Sequence, residues 1–134
     1  MTRRHSTGNI LDVRDRQLAS LPAAFFADAG NMIQIAYSLH QVIVRLERMT
    51  IDIQSRCEIW SPNGSRYQWE PELLSDMRGF GELLGSRIER FEALAGVRLI
   101  LYFSNGGTLL LAGKNSGYES FIISKEGGYG DVIV

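Results

Sequence analysis

The sequence is short of the residues that most often carry chemistry. Its 134 residues include one cysteine, Cys57, and two histidines, His5 and His40. A lone cysteine cannot close an internal disulfide, so the fold does not call for an oxidising compartment. One cysteine and two distant histidines supply no zinc-ligand spacing. No apolar run approaches the roughly 20 residues of a helical membrane span. The opening stretch MTRRHSTGNILDVRDRQ has positive charge but no apolar segment behind it, which argues against a secretory signal. Charge of one sign is lacking as well: 14 lysines and arginines face 15 acids, for a net charge of −1. The basic cluster Arg3-Arg4-His5 lies in a polar tail, residues 1–9, so neither a nucleic-acid nor a membrane partner is expected. A cytoplasmic protein of one domain, residues 1–134, is the expectation.

Apolar residues, by contrast, make up 45% of the chain, enough for a sizeable core. Their spacing is helical in a few places. Ile10, Leu11, Arg14 and Leu18 follow a candidate cap at Asn9, and Ala23–Ala29 lies between Pro22 and Gly30. Leu73, Met77, Phe80, Leu83 and Leu84 run from Pro71 to a stop at Gly85. Elsewhere the period is two. Strands are expected at Met32–Tyr37, Gln41–Glu47, Thr50–Ser55, Arg56–Ser61, Ser65–Glu70, Arg87–Leu94, Val97–Phe103, Thr108–Ala112, Glu119–Ser124 and Asp131–Val134. Pro62-Asn63-Gly64 and Asn105-Gly106-Gly107 have the chemistry of hairpin turns, because Asn and Gly accept positive φ.

The order helix, glycine, strands occurs twice. An offset of 55 brings Phe25 to Phe80, Gly30 to Gly85, Ile33 to Ile88, Val42 to Val97 and Leu46 to Leu101. Three further residues at the Ser104–Gly107 turn then bring Thr50 to Thr108, Ile51 to Leu109 and Ile53 to Leu111. The expected fold class is α+β: antiparallel sheet built from two similar helix-then-meander halves, about residues 21–70 and 76–134, with the helices packed on the sheet.

No motif supplies a reaction. GFGELLG (79–85) falls in a helical pattern with an acid, Glu82, and Gly113–Gly117 opens no helix, so neither reads as a phosphate loop. Ser104, Ser120 and Ser124 have no nucleophile elbow around them. A Cys57–His40 pair would need the two to meet across strands; a strand cysteine and a turn histidine is the simpler reading. No catalytic residue, metal site or cofactor is assigned, and the chain is not expected to be an enzyme.

The aromatics carry more information. Trp60, Tyr67 and Trp69 share one hairpin, and Tyr118, Phe121 and Tyr129 occupy the corresponding region of the second half. Core packing is one use for each tryptophan; a binding hot spot, for which Tyr and Trp are suited, is the other. Glu58, Glu70, Glu119, Glu126 and Asp131 add acid nearby, a surface suited to a basic protein. The candidate partner-binding residues are Trp60, Tyr67, Trp69, Tyr118, Glu119, Tyr129 and Asp131.

The run VRLILYFSNGGTLLLAG followed by YESFII (97–113 and 118–123), with Phe103, Asn105, Gly106, Tyr118, Glu119 and Ser120 as its marks, resembles a group of small bacterial β-rich proteins. Some of these look like immunity proteins of polymorphic or contact-dependent toxin systems. The resemblance implies a non-enzymatic protein that binds and neutralises a toxin domain, and it implies no catalytic residue. The alternative is a self-associating module that pairs through an open sheet edge, with DVIV (131–134) as the pairing strand.

Overall fold

The structure, a computed structural model, describes residues 14–71, 78–113, 120–126 and 132–133. Among the described residues ten strands form two antiparallel sheets, at the places the two-residue period marks. The first sheet has β1 (Met32–Tyr37), β2 (Val42–Leu46), β3 (Met49–Ile53), β9 (Phe121–Lys125) and β10 (Val132–Ile133), in the order β1-β2-β3-β9-β10. The second has β4 (Cys57–Trp60), β5 (Arg66–Trp69), β6 (Ile88–Leu94), β7 (Arg98–Phe103) and β8 (Thr108–Ala112), in the order β5-β4-β8-β7-β6.

Each three-stranded meander is completed by a hairpin from the other half of the chain: β9 joins β3, and β4 joins β8. Adding five to every strand number, and returning from β10 to β1, converts one sheet order into the other. The inward rows correspond as well. Ile35, Val44, Ile51, Ile123 and Val132 stand side by side across the first sheet. Phe91, Leu101, Leu109, Ile59 and Tyr67 do so across the second. Most of these side chains are fully buried, and all belong to or pack against one hydrophobic cluster drawn from both sheets. Alternation explains the faces: on β2 and β3, Val42, Val44, Leu46, Met49, Ile51 and Ile53 are buried, and the residues between them are not.

A single offset of 55 does not describe the correspondence. Strand pairing makes Val42 the counterpart of Leu99 and Leu46 the counterpart of Phe103. Turn lengths contribute at two places. Four residues, 38–41, separate the paired Tyr37 and Val42 where five, 94–98, separate Ala93 and Leu99; Glu47 and Arg48 alone then join β2 to β3, where Ser104, Asn105 and Gly106 precede Gly107, the partner of Phe103.

The two sheets meet where β1 and β6 begin. Asn31 bridges to Arg87, Met32 N donates to Ser86 O at 2.8 Å, and Gly85 N donates to Met32 O at 2.9 Å. Gly30 and Gly85 both sit at φ +84°, a conformation that favours glycine. The segment ahead of each meander then packs on the other one: Phe26 stacks edge-on to Phe91 at 5.3 Å, and Phe80 to Tyr37 at 6.1 Å.

The expected α+β architecture with helices packed on a sheet is not what forms. The described residues are mostly β, and their only helices are α1, over residues 14–19, and α2 (Arg78–Gly81). Residues 23–28 form successive i to i+3 turns instead, with Phe25 N bonded to Pro22 O and Ala27 N to Ala24 O. Phe25, Phe26 and Ala29 are all buried, at a spacing that one helical face would also present, so the apolar pattern does not by itself separate these turns from a helix. In α2, Gly79 and Gly81 each lower helix propensity by about 1 kcal/mol relative to alanine. Gly79 is there for space: a Cβ on it would lie 2.8 Å from Cβ of Tyr67. The Asn9 cap and the first turn after Pro71 lie outside the described residues.

Candidate functional site

The outer face of the second sheet is where surface chemistry concentrates. Cys57 and Ile59 point into the core, so Glu58 and Trp60 point outward on β4, opposite Gln68 and Arg66 of β5. The same alternation turns Leu110 of β8, Ile100 and Tyr102 of β7, and Arg90 and Glu92 of β6 outward. Two rows cross the sheet. One runs Arg66, Trp60, Thr108, Tyr102, Arg90; the other runs Gln68, Glu58, Leu110, Ile100, Glu92.

An arginine caps an aromatic ring at each end of the first row. Arg66 lies 5.9 Å from the Trp60 ring centre, and Arg90 lies 3.7 Å from that of Tyr102. The Tyr102 hydroxyl donates to Glu92 at 2.9 Å, and that bond pushes its pKa above the ordinary phenol value. Glu58 holds two arginines, Arg66 at 3.0 Å and Arg56 at 3.6 Å. Its side chain is 18% exposed, while those of Arg56 and Arg66 are 54% and 53% exposed. The acid is recessed and the guanidinium groups stand proud of it. Gln68, with its amide oxygen turned toward them, accepts from the same two arginines at 2.6 and 2.9 Å.

Of the three residues picked out by sequence that the structure describes, Trp60, Tyr67 and Trp69, only Trp60 is on this face. Trp69 is 3% exposed and faces inward opposite Cys57, so it is core. Tyr67 is half-buried on the inward side opposite Ile59, with the Arg78 guanidinium 5.9 Å from its ring centre. Tyr118, Glu119, Tyr129 and Asp131 lie outside the described residues. Of the acids named beside these aromatics, Glu58 lies beneath Arg56 and Arg66, while Glu70 follows β5 and Glu126 follows β9. Sequence reading missed Ile100, Tyr102, Leu110, Arg66 and Arg90. A signal was present: RLILYF and TLLLA are apolar at consecutive positions, whereas an antiparallel strand with one covered face alternates.

Other chemistry does not converge. Cys57 is buried on β4 and burial pushes its thiol pKa far up, away from reactivity, while His40 is exposed in the β1–β2 turn of the other sheet. Among the described residues no group of three His, Cys, Asp or Glu could hold a metal, and no helix is long and apolar enough to cross a membrane. A cavity of about 250 Å³ at the end of the first sheet is lined by Arg45, Glu47, Arg48, Lys125 and Glu126, among others. Lys125 is already engaged there, by Phe25 O at 2.7 Å and Asp28 at 3.0 Å. The outer face of the first sheet is quieter: Arg45, Thr50 and Ser124 form its counterpart row. Asp52 stands there between Ile43 and Ile122, one carboxylate oxygen buried without a partner, and burial raises its pKa.

Comparison with protein families, with curated proteins and with solved structures finds no significant match for this chain.

Proposed function

We propose that this chain is a non-enzymatic protein-binding domain acting in the cytoplasm, and that it works by occlusion, as an immunity protein works on its toxin. The observation that carries the binding reading is the outer face of the second sheet. Trp60, Leu110, Ile100 and Tyr102 lie side by side, half-buried, on strands whose other face already fills the core. A monomer has no internal use for apolar side chains on both faces of its central strands; a partner does. Arginine and aromatic residues at the rim match the composition of binding hot spots. The toxin-directed part of the reading comes from the resemblance of 97–123. Co-expression with the toxin-bearing product of an adjacent reading frame tests it. Stable co-purification and rescue of growth are expected, and a toxin neither bound nor neutralised ends the immunity reading.

A second reading, self-association, is favoured by a separate observation. The exposed large hydrophobic side chains among the described residues are Ile33, Tyr37, Leu39 and Leu84, all on or beside edge strand β1. That strand, MIQIAY, carries no charge. An antiparallel pairing of β1 with a second copy centred on Ile35 would set Ile33 against Tyr37. Sedimentation distinguishes the readings: a dimer broken by Ile33→Lys supports pairing, and a monomer at high concentration excludes it. The DVIV edge named from sequence is seen only in part, with Val132 buried and paired to Ile123 of β9.

A further inference from the structure

The charge on the sheet face specifies its partner's chemistry more closely than the aromatics do. Solvent-facing charges on and just before the strands of the second sheet are Arg56, Arg66, Arg87, Arg90 and Arg98 against Glu58, Glu89 and Glu92, with Glu70 following β5. Position matters more than the count. Glu58 lies beneath the two guanidinium groups it holds, so an approaching molecule meets Arg56 and Arg66 first, about half exposed, with one recessed carboxylate between them. Both arginines also lean on the neutral Gln68 amide oxygen, an acceptor that a carboxylate outcompetes. Trp60, beneath Arg66, stands beside Thr108 in one row, and Leu110 and Ile100 pair in the next, so that apolar side chains lie on the same face as the cationic pair.

We infer that this face docks an acidic protein segment, which sets a carboxylate against Arg56 and Arg66 and an apolar side chain on the floor formed by Trp60, Leu110 and Ile100. The inference rests on the protein-binding reading above and adds the partner's chemistry. It reverses the basic partner expected from sequence. A nucleic-acid strand also suits arginine over aromatic rings, and its binding is an outcome that the test separates.

The test pans a phage-displayed random peptide library against the whole chain and measures the enriched peptide by titration calorimetry. The expected consensus holds Asp or Glu beside Leu, Phe or Trp, with affinity that falls as salt rises. Arg66→Glu weakens it by about tenfold or more. Glu58→Gln, which removes the internal rival for both guanidinium groups, tightens it. Arg45→Glu on the outer face of the first sheet leaves it unchanged. Arg66→Gln, with thermal melting of every variant, separates lost charge from lost fold. A basic, uncharged or absent consensus overturns the inference. So does insensitivity to Arg66→Glu, weaker binding by Glu58→Gln, or tighter binding of a uridine oligonucleotide than of the peptide. The two proposals fail separately: acidic peptides bound by this face with the toxin unneutralised end only the immunity reading, and neutralisation unaffected by Arg66→Glu ends only this inference.

Discussion

The two sheets share one topology and one pattern of inward side chains, while their outer faces agree at only some positions, such as Thr50 with Thr108 and Ile43 with Ile100. Ile51 and Leu109 occupy matching central positions, each fully buried. One step outward along the same strands, Thr50 matches Thr108, but the neighbours of Thr50 are Arg45 and Ser124, and those of Thr108 are Tyr102 and Trp60. Asp52 has Leu110 as its counterpart. Packing constrains an inward residue from both sheets at once, because volume and polarity must suit the opposing side chains. An outward residue answers only to solvent or to a partner. The divergence therefore separates what the fold requires from what the second sheet has been given to do.

That contrast can be broken at several points. Ile51→Ala and Leu109→Ala should each cost about 2–5 kcal/mol in urea unfolding, and similarly to one another. A large inequality would mean the two inner faces are not equivalent. Gly30→Ala should cost about 2–4 kcal/mol and Gly85→Ala about 1–2 kcal/mol, since both force an L residue to positive φ but only the first also overpacks. The difference arises because a Cβ at Gly30 would stand 2.7 Å from Cβ of Glu47, while nothing lies within 4 Å at Gly85. Trp60→Ala should weaken partner binding by more than about 1 kcal/mol, whereas its counterpart Ser124→Ala should leave it unchanged; calorimetry with the enriched peptide reads both.

The smallest effect is in pH. Burial raises the Asp52 pKa in the folded state, so stability is full below the ordinary aspartate value and declines as pH rises toward the raised one. Asp52→Asn should thus recover stability at neutral pH. Asp28 runs the other way: the hydrogen bond from Lys125 depresses its pKa, and its contribution is present at neutral pH and lost as pH falls. Carboxylate NMR titration should find Asp52 above and Asp28 below the usual aspartate range.

Strands were legible because the two-residue period of VIVRL and TIDI states both extent and facing. Helices were less legible: the apolar spacing around Phe25 and Phe80 fits a helical stripe, but residues 23–28 close i to i+3 turns and two glycines weaken the second segment. The exchange of hairpins between sheets was invisible too, since alternation says which way a side chain points and nothing about which strand lies alongside. At the candidate site, residue type singled out both Trp60 and Trp69 with core packing open for each, and parity along adjoining strands turns the first outward and the second inward. Ile100, Tyr102 and Leu110 were not singled out.

The hairpin exchange also sets when the protein can assemble. Ile51 must wait for Ile123, and Ile59 for Leu109, so the central pairing of either sheet spans much of the polypeptide. During synthesis β3 leaves the ribosome long before β9 exists, its hydrogen-bonding edge open. Such distant pairings imply slow closure and make a nascent or truncated product prone to join strands with its neighbours.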